Sequence, residues 1–207
     1  MPEGGGPKTP HRTSPAASAE DVEEQLGRLI RARRREMGIT LTALAAQTGL
    51  SIGLLSQIER SLSTPTIRQL QAIAASLGVR IGWFFQSERP EDLPETDIVV
   101  RAAARRRIAY RDLGMVDELL VPDLERRLGL LLCRLLPGAS SGGEAYTHEG
   151  EEAGVLLSGT LEIEVDGRRF LLHGGDSFAF QSSRPHRYRN PGEEEAVIVW
   201  ALTPPSF

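Results

Sequence analysis

The apolar residues of this chain change their spacing near residue 90, and this change constrains the fold more than any other feature. In the first part they recur at helical spacing, at Val22, Leu26, Leu29 and Ile30. In the second part they alternate with polar residues, as in a half-buried strand, at Leu161, Ile163 and Val165. The stretch 87–97 between them is polar and contains two prolines, which is typical of a linker. We therefore predict an α+β multidomain chain, with an all-α domain followed by an all-β domain.

The domain boundaries follow from these patterns. Residues 1–20 are rich in Pro, Gly, Ser, Thr and Ala and lack a periodic apolar set, so we predict a disordered tail. We assign 21–86 to the helical domain, 87–124 to the linker and first strands, and 125–207 to the β-domain. Further strand-like runs lie at 128–136, 154–157, 177–180, 186–190 and 196–202, and Gly167 marks a turn. Short strands separated by such turns indicate an antiparallel sandwich or barrel.

Five short helices are predicted in the helical domain. Gly38 ends the first helix, and Thr40 is a suitable N-cap for the second. Ser51 can cap a third helix that runs to about residue 60, and Thr66 can cap a fourth. A short fifth helix is expected over the apolar residues 81–85.

The charge of the chain is distributed unequally. The whole chain has 24 basic and 28 acidic residues, a formal net charge of −4. Residues 22–86, however, contain eight Arg and four Glu, whereas residues 125–207 contain eight Arg and twelve acids. This asymmetry indicates that the first part meets a polyanion and the second does not.

Cysteine content and hydropathy restrict the remaining classes. The single cysteine, Cys133, permits no intrachain disulfide, and its apolar neighbours predict a buried core thiol. No apolar stretch reaches the roughly 18 residues that a membrane helix needs, and the N-terminus lacks the apolar region of a signal peptide. We therefore expect a cytoplasmic protein without a membrane partner.

Residues 40–60 have the features that two helices joined by a sharp turn require. Ala45 supplies a small residue at the contact between the helices, and Gly49 tolerates the positive φ of the turn. Leu55 and Ile58 are expected to anchor the second helix on its inner face. Its outer face then presents Ile52, Gly53, Ser56, Gln57 and Arg60. A helical bundle without a nucleic-acid role is the alternative that this pattern alone leaves open.

The segment 26–85 resembles the helix-turn-helix domain of the phage Cro and repressor type (XRE), and Leu-Ser-Gln-Ile-Glu-Arg at 55–60 is especially typical. The resemblance implies that residues 51–60 enter the major groove of DNA. Gln57 and Ser56 would contact base edges, Ile52 a thymine methyl, and Gly53 would allow close backbone approach. The phosphate contacts would come from Arg60 and from the helix N-termini at Thr40 and Ser51, with Arg31 and Arg35 as further partners. Arg34 and Glu59 match positions that form a structural ion pair.

Residues 125–203 resemble the cupin family, a small β-barrel. His148, Glu152 and Gly159 match its first motif, in which Tyr146 replaces the first histidine. The matches to its second motif are Gly175, His186 and Asn190, while Gln181 and Ser183 replace the usual Pro and Gly. The resemblance implies that Tyr146, His148, Glu152 and His186 line an effector pocket.

Two roles remain open for His148, Glu152 and His186. Two imidazoles and a carboxylate could bind a divalent transition metal and leave coordination positions for solvent or ligand. Tyr146 would be a poor fourth ligand because its phenol is normally protonated at neutral pH. Alternatively, the same residues would line a polar pocket that hydrogen-bonds an effector without a metal.

The order of the two domains resembles a class of transcription regulators, some of which respond to amines or amino-acid derivatives. We expect a sequence-specific DNA-binding regulator, acting as a repressor, that binds double-stranded DNA as a homodimer. A small-molecule effector in the barrel would control it, because it would favour one arrangement of the domains. Two alternatives stay open, a metal-dependent cupin enzyme and a scaffold protein with non-specific DNA contacts. We expect the chain not to be an enzyme.

Overall fold

The structure, a computed structural model, describes residues 19–85, 97–124 and 126–205, with the side chains of the first helix described from residue 25. Residues 1–18 of the predicted tail, residue 86 of the predicted helical domain and residues 87–96 of the predicted linker lie outside the described part. Four α-helices come first, and they are α1 (Ala19–Glu36), α2 (Leu41–Thr48), α3 (Ile52–Glu59) and α4 (Ile67–Ser76). A one-turn 3-10 helix, Ile81–Phe84, follows them.

The predicted N-caps begin the helices that they were expected to begin. The Thr40 hydroxyl accepts a hydrogen bond from the backbone N–H of Ala43 at 3.1 Å, and the Ser51 hydroxyl accepts one from Leu54 at 3.1 Å. Thr66 forms a reciprocal capping box with Gln69 at the start of α4. Because each cap satisfies a backbone donor that the helix leaves unpaired, these residues fix where the helices start.

The prediction of five α-helices is wrong by one, because residues 81–84 form a 3-10 turn. This segment is too short to offset the unfavourable nucleation of an α-helix, and Gly82 weakens it further. Packing against the β-domain holds the turn instead. A Cβ on residue 82 would lie 2.6 Å from the Leu124 side chain, so the backbone itself contacts Leu124.

Nine strands are found among the described residues. They are β1 (Arg107–Tyr110), β2 (Met115–Leu119), β3 (Gly129–Leu135), β4 (Glu151–Ser158), β5 (Thr160–Val165), β6 (Arg168–His173), β7 (Ser177–Gln181), β8 (His186–Arg189) and β9 (Ala196–Thr203). One sheet has the order β1-β2-β3-β9-β4-β7, and the other has the order β6-β5-β8. Every pairing is antiparallel. The predicted turn at Gly167 connects β5 to β6, with positive φ at both Asp166 and Gly167 as in a type I′ hairpin.

The two sheets face each other across a common apolar interior. Along β9, Ile198, Trp200 and Leu202 are buried in alternation with more exposed residues. The Tyr188 ring of β8 lies 4.8 Å from the Trp200 ring, which joins one sheet to the other. The alternation that the sequence displays over residues 161–165 is confirmed, since Ile163 and its inward neighbours are buried.

Among the described residues, no single helix is long and apolar enough to cross a membrane. The helices α2 and α3 pass that test only when they are joined, and their axes differ in direction by 113°.

Candidate functional site

The outer face of α3 is exposed, as the sequence predicts. Gly53, Gln57 and Arg60 are exposed, Ser56 is half-buried, and Ile52 is 47% exposed. The inner face is buried against the other helices through Leu55 and Ile58. A mixed polar and apolar face of this kind is therefore available to a partner in the described part of the chain.

The corner between α2 and α3 sets the orientation of that face. Gly49 ends α2 in the left-handed region with φ 72°, and its N–H donates to the Ala45 carbonyl. Non-glycine residues rarely adopt this conformation, so Gly49 permits the abrupt change of direction. The resulting 113° between the two helix axes falls in the range of about 90–120° seen in helix-turn-helix units.

A buried ion pair fixes α3 to α1. Arg34 Nε donates to Glu59 Oε1 at 2.5 Å, and Arg34 Nη2 donates to Glu59 Oε2 at 2.9 Å. The hydrogen bond to Glu59 raises the pKa of the Arg34 guanidinium above its ordinary value. A third bond from Arg34 reaches the Ile39 carbonyl at 2.7 Å. The expected structural ion pair is thus confirmed.

The basic residues near α3 divide into two groups. Arg31 and Arg35 of α1 are exposed, whereas Arg33 contacts Glu36 and the Leu77 carbonyl. Arg60 is exposed, and its Nε donates to the Ser56 carbonyl at 3.2 Å.

Inside the β-domain, two histidines and one glutamate converge. Glu152 Oε1 lies 2.7 Å from His148 Nε2 and 3.3 Å from His186 Nε2. Glu152 and His186 are almost fully buried, and the three ligand atoms lie within 4.8 Å of one another. β4 carries Glu152 and β8 carries His186, while His148 lies in the loop before β4.

Backbone contacts orient both imidazoles toward the carboxylate. His186 Nδ1 is 2.8 Å from the Arg184 carbonyl, and His148 Nδ1 is 3.1 Å from the Glu149 carbonyl. A ring nitrogen must carry the proton to donate to a carbonyl, so these partners favour the tautomer with an unprotonated Nε2. Both Nε2 lone pairs then face Glu152 Oε1.

This arrangement fits a divalent cation. Glu152 Oε2 accepts a hydrogen bond from Trp200 Nε1–H at 2.8 Å. Within the described residues, however, Glu152 Oε1 and His186 Nε2 are buried without a hydrogen-bond partner. Converging lone pairs of two imidazoles and a carboxylate repel one another, and a transition-metal ion would satisfy all three.

The pKa shifts also suit metal binding. Burial lowers the pKa of His186, which favours the neutral form that ligates metals. Burial raises the pKa of Glu152, but a hydrogen bond with His148 and the positive charge that His186 carries when it is protonated outweigh burial, so this pKa is lowered and the carboxylate is anionic. Tyr146 lies beside the group, with its ring 4.3 Å from that of His186. Burial raises the Tyr146 pKa well above its ordinary value, so the phenol stays protonated.

The remaining motif residues have structural roles. Asn190 Nδ2 donates to the Leu135 and Glu194 carbonyls. Gly159 has φ 80°, and a Cβ there would lie 2.5 Å from the Glu195 carbonyl oxygen. Gly175 likewise has a positive φ of 98°.

Sequence reasoning missed a second polar group in the interior. Asp117 of β2 is buried beside Cys133 of β3, its cross-strand partner. Burial raises the pKa of Asp117 to about 6, although a hydrogen bond with Cys133 opposes the shift. The Tyr110 hydroxyl is also buried, without a hydrogen-bond partner among the described residues. The alternation around Asp117, with buried Met115 and Leu119 on either side, was the available signal for its inward position.

A cavity of about 620 Å³ opens between β6 and β7. Its lining combines apolar side chains, Phe178 and Phe180 among them, with the charged residues Arg168, Asp176 and Arg184. The Phe180 ring lies 5.0 Å from the His186 ring, so the cavity adjoins the His148–Glu152–His186 group.

Known proteins resemble both parts of the chain. A helix-turn-helix profile matches residues 30–84, and a cupin domain profile matches residues 131–202. The HTH-type transcriptional regulator PuuR of Escherichia coli is 27% identical over 84% of this chain and 92% of its own length. The HTH-type transcriptional regulator SutR of the same organism is 28% identical with the same coverage. A solved HTH_3 family transcriptional regulator from Vibrio cholerae matches 90% of this chain and 98% of its own, with a TM-score of 0.62 and 25% identity.

Proposed function

We propose that this chain, a transcriptional regulator with a helix-turn-helix domain and a cupin domain, is a sequence-specific repressor controlled by a small molecule. The effector would bind in the interior between the two sheets. The observation that carries the proposal is the exposed outer face of α3, which the Arg34–Glu59 pair and the Gly49 corner hold in a fixed direction.

The residues of this face have distinct roles in the proposal. Gln57 and Ser56 contact base edges, because an amide can pair with adenine and a hydroxyl with several bases. Ile52 contacts a thymine methyl group. Gly53 has no side chain, so the backbone of α3 can approach the DNA closely at this position. Arg60, together with the N-termini of α2 and α3 at Thr40 and Ser51, contacts phosphates and sets the register of the protein on the duplex. Arg60, Thr40 and Ser51 complete the proposed DNA-binding surface.

One α3 helix reads few base pairs, so we propose that a homodimer binds. A two-fold dimer would place two recognition helices about 34 Å apart, on successive major grooves of one duplex face. The operator would then be an inverted repeat.

Genome-wide mapping of DNA bound by the full chain tests this half of the proposal. We expect a limited set of sites that share an inverted-repeat motif, and higher transcription of the neighbouring genes when the chain is deleted. Bound positions without a shared motif would contradict sequence-specific regulation, and lower transcription after deletion would contradict repression.

The sensor half rests on His148, Glu152 and His186. We propose that His148 Nε2, Glu152 Oε1 and His186 Nε2 hold a divalent transition metal. The metal would supply a Lewis-acidic position at which a donor atom of the effector binds. Tyr146 lines the same pocket with a neutral phenol and can hydrogen-bond the effector. The full-length relatives are named as regulators, which favours sensing over catalysis at this group.

Metal analysis of the purified protein tests the sensor half. We expect about one transition-metal ion per chain in the wild type and almost none in Glu152→Gln, which keeps an acceptor for Trp200 but loses the anionic ligand. Glu151→Gln is the matched control, because Glu151 is adjacent and exposed, and it should retain the metal. Equal metal content in the wild type and Glu152→Gln would contradict the proposed metal site.

A further inference from the structure

We propose that residues 139–148, here called the coupling loop, transmit occupancy of the pocket to the DNA-binding helices through a contact between Gly142 and Thr66. This inference rests on the proposed function, because it names how the pocket would regulate DNA binding. One end of the loop forms part of the pocket, and its middle contacts the helical domain. Both connections follow from hydrogen bonds and close contacts of described residues.

The pocket end of the loop is bonded to the strand that carries His186. Tyr146 and His186 exchange two backbone hydrogen bonds, each 3.0 Å long. The His148 N–H donates to the Ser182 carbonyl at 3.0 Å. A ligand that moves His148 or the Tyr146 ring therefore moves the backbone of the loop and of β8 together.

The middle of the loop is bonded to the same strand. The Ser141 N–H donates to the Tyr188 carbonyl at 3.0 Å, and the Tyr188 N–H donates to the Ser141 hydroxyl at 3.1 Å. Arg187 donates to the Gly143 carbonyl at 2.8 Å. Ser141 and Tyr188 are buried, so the two bonds between them are shielded from water and the loop moves with β8.

The middle of the coupling loop also contacts the start of α4. Gly142 has φ 124°, and a Cβ there would lie 3.2 Å from both Cβ and Cγ2 of Thr66. Thr66 is the N-cap of α4, and Glu144 of the loop forms an ion pair with Arg68 in the first turn of that helix. Displacement of the loop at Gly142 therefore acts on the cap of α4.

A second contact reaches the same segment of the helical domain. The Asp112 carboxylate accepts a hydrogen bond from the Thr64 N–H at 2.8 Å. The neighbouring Leu113 carbonyl accepts one from the Ser140 N–H at 3.3 Å, which ties this contact to the loop. Residues 64–66 thus receive two contacts from one region of the β-domain.

Residues 61–66 connect α4 to the proposed recognition helix. The Leu62 N–H donates to the Gln57 carbonyl at 2.9 Å, and the Ser61 N–H donates to the Ile58 carbonyl at 2.9 Å. The end of α3 is therefore bonded to the segment on which the coupling loop acts. In a dimer, a rotation of each helical domain about this contact would change the separation of the two α3 helices, to which operator binding is sensitive.

Reciprocity supplies the test, since DNA must change the affinity of the pocket for its ligand by the same factor by which that ligand changes the affinity for DNA, so DNA binding must alter the pocket. We measure amide hydrogen exchange of the full chain with and without an operator duplex selected by the wild type, and with a scrambled duplex. The readouts are the amides of Tyr146 and His186, whose residues are buried in the β-domain. We expect the operator duplex to change their exchange by at least about fivefold, and the scrambled duplex to leave it unchanged.

Substitutions at Gly142 and Thr66 test whether their contact carries the coupling. Gly142→Ala introduces backbone strain and a clash with Thr66, and should abolish the effect of the duplex on Tyr146 and His186 while α3 remains protected. Thr66→Ser removes the contacting methyl and keeps the capping hydroxyl, so it should partly restore the effect in the double variant. Gly138→Ala also places a side chain at a positive φ, of 78°, and Gly143→Ala does not; neither added Cβ would meet a described atom within 4 Å. Both controls should behave as the wild type.

Asp112→Ala provides a second variant, which should weaken the effect even where Gly142→Ala does not fold. The inference is overturned when the wild type binds operator but its exchange changes stay within residues 19–85, or when Gly142→Ala and Asp112→Ala both retain the effect. If the wild type selects no duplex, the proposed function and the coupling both fail. If it selects an operator but shows one of the two outcomes above, only the coupling fails.

Discussion

Gln57 has the most specific proposed role among the exposed residues of α3. Its amide can donate to one base atom and accept from another, and such bidentate contacts contribute about 1–3 kcal/mol of discrimination between base pairs. We expect Gln57→Ala to lose that discrimination at one position in each half-site of the operator. Binding competition with duplexes that vary at each position measures the loss.

The control for this variant is Gln47→Ala. Gln47 is exposed on α2 and belongs to none of the proposed base contacts. It should leave the preferred base unchanged at every position. An unchanged base preference in Gln57→Ala would reject the assigned contact.

Asp117 lowers the free energy of unfolding as the pH rises, which is opposite to the effect of a carboxylate in an ion pair. Burial raises its pKa from 3.8 to about 6, so the folded protein binds this proton more tightly than the unfolded chain does. Its contribution to stability is therefore fully present below about pH 4 and is lost as the pH rises through about 6. The loss amounts to about 3 kcal/mol at 1.36 kcal/mol per pKa unit.

Asp117→Asn removes this titration. The free energy of unfolding of the variant, relative to the wild type, should rise by up to about 3 kcal/mol between pH 4 and pH 7.5. Denaturant unfolding of the full chain at the two pH values, in the presence of a chelator, measures this difference. Asp176→Asn, at an exposed position, should give no such rise. A constant difference between Asp117→Asn and wild type would contradict the assigned burial of the charge.

Two glycines within helices test how α1 and α3 fit together. Gly27 of α1 is buried, and a Cβ there would lie 2.4 Å from the Ile58 carbonyl oxygen of α3. Gly53 of α3 is exposed, and a Cβ there would approach no described atom closer than 4.0 Å, the Ser51 hydroxyl. The same substitution should therefore have opposite effects on stability at the two positions.

We expect Gly27→Ala to destabilise the protein by about 1–3 kcal/mol, because the backbones of the two helices must separate. Gly53→Ala should stabilise it by about 0.5–1 kcal/mol through helix propensity, while it weakens DNA binding. Thermal or denaturant unfolding measures the stability of both variants. Titration with operator DNA measures the DNA affinity of Gly53→Ala. Equal stability changes at the two positions would contradict the described packing.

Local signals in the sequence were sufficient for most elements. Thr40, Ser51 and Thr66 begin helices because their hydroxyls satisfy nearby donors, which is a property of a few adjacent residues. The 3-10 turn at 81–84 could not be predicted in the same way. Its conformation depends on contact with Leu124, which is distant in the sequence.

At the scale of the whole molecule, the sequence predicted which residues converge but not how the two parts touch. The spacing of His148 and Glu152, with His186 in the second motif, predicted the pocket group that the structure brings together. The bond between Thr64 and Asp112 joins residues 48 positions apart, and no motif marks it. Asp117 was missed because the cupin motifs do not include its strand.

The two parts of the chain carry different parts of the proposed function. The helical part has the excess of arginine and the exposed face of α3, whereas the β part has the buried ligand group and the cavity beside it. Regulation requires that the two communicate, because a ligand can change DNA affinity only when it distinguishes two arrangements of the protein.

The affinity ratio between a selected duplex and a shuffled duplex of equal composition tests the reading of DNA by α3 most directly. The full-length protein is used at physiological salt, where specific and non-specific binding are well separated. We expect an inverted repeat with half-sites about 10 base pairs apart, bound at least about a thousandfold more tightly than the shuffled sequence. A ratio near one, with both affinities falling equally as salt rises, would contradict this account.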